Sequence, residues 1–147
     1  MKYFLILFLS LGSLAQTQAQ KDAIYSTKNG AINGYDPVAY FTDAKPIKGL
    51  DSIAINWHGA TWHFADTRHR ELFAAEPEKY APQFGGWCAY GWSKGYPAKI
   101  EPQAWSIVDG RLYLNYNQDV REDWEKKRAE YIQSAQINYQ KAFVKSN

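Results

Sequence analysis

The sequence predicts a small single-domain α+β fold, with short antiparallel hairpins packed against helices and a long helix near the C-terminus. Two observations predict the hairpins. Residues 53–57 and 60–65 are short aromatic and aliphatic runs about the dipeptide His58-Gly59, and residues 104–108 and 112–116 flank Asp109-Gly110. Asp-Gly is a favoured two-residue connection because both positions must accept positive φ. The third observation predicts the helix: Val120, Trp124, Tyr131, Ala135 and Tyr139 recur near helical spacing and form one apolar stripe.

The chain opens with MKYFLILFLSLGSLAQTQAQ, which has an early lysine, an apolar run over residues 3–14, and small or polar residues at Thr17 and Ala19. This is the pattern of a secretory signal peptide over residues 1–19, cleaved after Ala19, with export to a periplasm or beyond. The apolar run falls short of the roughly 20 residues a membrane span needs, so no stable membrane anchor is expected after cleavage. Residues 20–33 read as a loose lead-in ending at Asn33-Gly34, and the domain is expected over residues 34–147.

Within the domain, Asp36-Pro37 disfavours helix and suits a turn. Residues 44–52 are polar and broken by Gly and Pro, so they read as a loop. After the first hairpin, Asp66 is placed to N-cap a helix over residues 68–75, whose Leu72 and Phe73 would pack back on the hairpin. Pro77 begins a further short turn that Pro82 closes. Beyond the second hairpin, Asn117 caps the terminal helix, and the charges of REDWEKKRAE form its solvated face.

Composition narrows the function. A net charge of +2 makes no case for nucleic acid or a polybasic membrane patch. Aromatic residues make up 16% of the chain, including 6 Trp and 11 Tyr, which points to a core of large rings with polar tips. The one cysteine, Cys88, excludes an intramolecular disulfide. It is then a buried thiol, a metal ligand, a nucleophile or an intermolecular partner. Its frame, FGGWCAYGWSKG, is rich in glycine and aromatic residues.

GYDPVAYF at residues 34–41 and WHGATWHFADTRHRELFAAEPEKYAPQFGGWCAYG at residues 57–91 resemble the YHS domain, in its exported single-domain form. The likeness runs from about Asn33 to the terminal helix. It implies a relation to cysteine-bearing, metal-linked modules found beside heavy-metal transport ATPases and some oxygenases. The thiols of the short YHS form would fall at Ala39, Ala65 and His69 of this chain. Alanine donates no electrons to a metal, so the usual thiolate site does not exist here.

A substitute set can be drawn from His63, His69 and Cys88, two imidazoles and a thiolate suited to copper or zinc. In an extended strand His63 shares a face with Ala65, while Trp62 and Phe64 take the other. No CxxC pair or HExxH helix accompanies them. His58 is expected at a hairpin tip as a solvated imidazole. Asp36, Lys99 and Glu101 read as caps or surface charges.

The leading expectation is therefore a non-enzymatic exported binding module handling a soft transition metal such as copper. The alternative is a module binding a small organic ligand or a protein partner through Trp87, Tyr90, Trp92 and Tyr96. A third reading is a Cys-dependent enzyme. There, a helix opening near Trp87 would lower the thiol pKa, and the N–H groups of Gly85 and Gly86 would face an anion. No third group spaced to orient a histidine supports it.

Overall fold

The structure, a computed structural model, describes residues 23–143. The leader expected over residues 1–19 and its cleavage site lie outside the described residues. Within them, the chain forms three separate two-stranded antiparallel hairpins and six α-helices. This is the small α+β architecture, with no helix among the described residues long and apolar enough to cross a membrane.

The first hairpin pairs β1 (Ser26–Thr27) with β2 (Gly30–Ala31). It corrects the expectation of a loose lead-in over residues 20–33. Ile24, Tyr25, Ala31 and Ile32 are all buried in the main core, and Tyr25 N–H donates to Gly85 O at 2.9 Å. Four apolar side chains in a nine-residue stretch have more to gain from burial than from solvation. The turn signal is Asn29-Gly30, with Gly30 at φ 102°. Helix α1 (Ala39–Thr42) follows, and an antiparallel bridge joins Tyr35 to Lys48.

The second hairpin pairs β3 (Leu50–Trp57) with β4 (Ala60–Phe64), in register at Trp57↔Ala60 and Ile55↔Trp62, with a bulge between Leu50 and Ala54. His58 at φ 51° and Gly59 at φ 75° give the two left-handed residues that a type I′ turn requires. Along β4, Trp62 and Phe64 are buried while Thr61 and His63 are half-buried on the other face. Helix α2 (Thr67–Ala75) is capped as expected, Asp66 Oδ1 accepting from His69 N–H at 2.8 Å. Its Phe73 packs against Trp57, Trp62 and Phe64 with ring centroids 5.2–5.5 Å apart. Such ring pairs contribute about 0.5–1.5 kcal/mol each beyond area burial.

Helix α3 (Pro77–Tyr80) starts at its proline, and α4 (Ala89–Ser93) follows Cys88. The third hairpin pairs β5 (Trp105–Val108) with β6 (Arg111–Leu114) about Asp109 (φ 51°) and Gly110 (φ 73°). Asn117 caps α5 (Gln118–Glu125), accepting from Val120 N–H at 2.9 Å. The terminal helix is divided: α5 closes in i→i−3 hydrogen bonds from Lys126 to Asp123 and from Lys127 to Trp124, before α6 (Arg128–Phe143) begins. The break lets Trp124 and Ala135 enter the same buried cluster as Phe84, Trp92 and Tyr113.

Candidate functional site

Cys88 stands at the join between the core and helix α4. Its Sγ accepts from Gly91 N–H at 3.4 Å, so the thiol is the N-cap of α4. Its S–H points to Asn115 Oδ1 at 3.5 Å, and the same oxygen accepts from Tyr90 N–H at 3.0 Å. The Cys88 N–H donates to Ala98 O at 3.0 Å, which folds the following loop back over the helix. Asn115, buried beside the sulfur, was not singled out by sequence reasoning. Its signal is an amide interrupting the apolar run of residues 112–116.

The thiol pKa is raised. Burial is the larger cause, and it outweighs the N–H groups of Gly91, Tyr116 and Tyr90 that would favour a thiolate. The expectation of an activated sulfur at a helix N-terminus is thus reversed in sign. The glycines before it also have another use. A Cβ on Gly85 would lie 1.7 Å from Ala23 O, and Gly85 O accepts from Tyr25 N–H. Gly85 at φ 64° and Gly86 at φ 84° let the N-terminal segment pass directly over the backbone.

Above Cys88 lies a cavity of about 280 Å³. Tyr90 and Gly91 come from α4, Tyr96 and Ala98 from the loop after it, Tyr116 from the end of the third hairpin, and Val120 from the first turn of α5. The walls are mostly apolar. Gly91 permits this closure, because a Cβ there would lie 2.9 Å from Tyr96 O and 3.2 Å from Ala98 Cβ. Tyr96 is 51% exposed and Tyr116 39%, so two phenol rings stand at the mouth while Cys88 lies buried at its base. Of the aromatic residues nominated from sequence, Tyr90 and Tyr96 line the cavity. Trp92 is buried in the second cluster and Trp87 packs half-buried against Tyr25.

The three proposed metal ligands are engaged separately. His69 Nδ1 lies 2.6 Å from Asp36 Oδ2, and its Nε2 lies 3.1 Å from Thr42 Oγ1 and 3.4 Å from Asp43 Oδ2. His63 is wedged between Gly30 and Gly49, with Nδ1 3.3 Å from Leu50 O. Cys88 faces Asn115. Among the described residues no group of three or more His, Cys, Asp or Glu could hold a metal ion. The expected convergence of His63, His69 and Cys88 is absent for a physical reason: each histidine is held by its own neighbours, and neither lines the cavity.

Ala39, Ala65 and His69, where the resemblance would place thiols, do meet at one point. Asp36 Oδ1 accepts from Val38 N–H at 2.8 Å and Ala39 N–H at 3.3 Å. Its Oδ2 accepts from Ala65 N–H at 2.8 Å and pairs with His69. A buried carboxylate with four partners ties the 36–39 turn to the end of β4 and to α2.

Comparison with protein-family models, with curated proteins and with solved structures gave no match.

Proposed function

We propose that this protein is a binding module that takes a small organic ligand into the cavity over Cys88. The observation that carries the reading is the cavity itself: about 280 Å³, mostly apolar, with tyrosines at its mouth and one sulfur at its base. Ligand pockets of roughly 300–1,000 Å³ hold drug-sized molecules, so this one suits a single ring or a short branched chain. The sequence resemblance and the leader pattern support placing this activity in an exported YHS-like protein.

The geometry favours this reading over the other two. A soft-metal centre needs several donors around one point, and His63 and His69 are held elsewhere. A thiol nucleophile needs a base, and Cys88 is surrounded by an amide and backbone N–H groups while burial keeps its sulfur protonated.

Amide chemical-shift mapping with benzyl alcohol, a neutral single-ring probe, tests the proposal. Saturable shifts should concentrate at Gly91, Ala98, Tyr116 and Val120. Absent shifts, or shifts scattered over the surface, would overturn it.

A further inference from the structure

Building on that reading, we infer that the cavity selects a small organic anion, an apolar body carrying a carboxylate, held at the mouth by Lys94 and Lys99. Each ammonium is set against a lining ring. Lys94 Nζ lies 5.3 Å from the centroid of Tyr90 and 5.0 Å from that of Tyr131, and Lys99 Nζ lies 5.4 Å from that of Tyr116. Tyr90 and Tyr131 meet edge to face at 5.2 Å, which gives Lys94 a two-ring seat.

The ring faces attract the ammoniums and hold the flexible stems near the cavity. Neither lysine has a carboxylate within ion-pair distance among the described residues, whereas Lys79 and Lys126 both do. The acidic residues within three positions of the lining, Glu101, Asp119, Glu122 and Asp123, are all exposed. Two unneutralised cations therefore flank an apolar cavity whose wall offers the three phenol groups of Tyr90, Tyr96 and Tyr116 as further donors. An apolar body satisfies the walls and a carboxylate satisfies the rim. A cationic ligand of the same size would be repelled at the mouth.

The test compares benzoate, benzyl alcohol and benzylamine, which share a ring and differ in charge, by calorimetric titration of the intact protein. Benzoate should bind at least about fivefold tighter than benzyl alcohol at low salt, with benzylamine weakest, and the preference should shrink as salt rises. Lys94→Ala together with Lys99→Ala should bring benzoate to the affinity of benzyl alcohol while leaving benzyl alcohol unchanged. Benzyl alcohol binding as tightly as benzoate would overturn the charge selection and leave the cavity reading standing. Failure of all three compounds to bind would overturn both.

Discussion

His69 Nδ1 lies 2.6 Å from Asp36 Oδ2, and both side chains are buried. The histidine that the sequence offered as a metal ligand is engaged with a carboxylate that also takes three backbone N–H groups. Removing Asp36 leaves those three donors and the Nδ1 of His69 unpartnered. Removing His69 leaves the carboxylate with its three amides. Asp36→Ala should therefore cost about 3–5 kcal/mol, and His69→Ala about 1–3 kcal/mol. Urea unfolding checks the order; a His69 variant less stable than the Asp36 variant would contradict it.

The sulfur of Cys88 caps α4, and a hydroxyl can take over both of its contacts, accepting from Gly91 and donating to Asn115. Cys88→Ser should stay within about 1 kcal/mol of wild type. Cys88→Ala loses the cap and should be about 1 kcal/mol or more less stable than the serine variant. An alanine variant as stable as the serine one would contradict the capping role.

Alkaline pH should destabilise the fold. Burial raises the Cys88 thiol and the phenols of Tyr40 and Tyr113, and pushes Tyr139 up to about 12. Each group is held neutral in the folded state, so its contribution is complete below its unfolded-state pKa and is lost as pH rises toward the folded one. Unfolding free energy should fall from about pH 8.5 as Cys88 begins to titrate in the unfolded chain, and more steeply above about pH 10 as the tyrosines join. Cys88→Ala should flatten the first part of that slope. A stability that is constant or rising between pH 8 and 11 would contradict the assignment.

Two glycines at similar φ separate close approach from conformational preference. Gly85→Ala places a methyl 1.7 Å from Ala23 O, whereas Gly110→Ala meets nothing within 4 Å. The second should cost only the left-handed penalty of about 1–2 kcal/mol. The first should exceed it and release the N-terminal segment, read as faster amide exchange at Tyr25, whose N–H donates to Gly85 O. Equal losses at the two sites would argue against this packing role.

Local chemistry made much of the fold legible. His58-Gly59 and Asp109-Gly110 signalled their turns, Asp66 and Asn117 their caps, and Phe73 its place on the hairpin. The Asn29-Gly30 hairpin was passed over because its strands are two residues long, too short for a periodic signal. The break after Glu125 escaped notice because Lys126 and Lys127 are ordinary helix formers, and tertiary packing of Trp124 and Ala135 decides it.

The site was legible in part. Cys88, Tyr90 and Tyr96 stood out by type. Tyr116 and Val120 reach the cavity through long-range folding, which spacing does not encode. The histidines misled because residue type is visible in a sequence and the carboxylate or carbonyl that engages it is not.

Filling the cavity tests the central claim most directly. Val120→Phe adds a ring from the first turn of α5 into the space over Cys88, and calorimetric titration with benzoate reads the consequence. Affinity should fall by at least about tenfold, equivalent to about 1.4 kcal/mol, with the melting temperature unchanged or raised. Benzoate binding to a folded Val120→Phe protein as tightly as to wild type would show that the ligand does not enter this cavity.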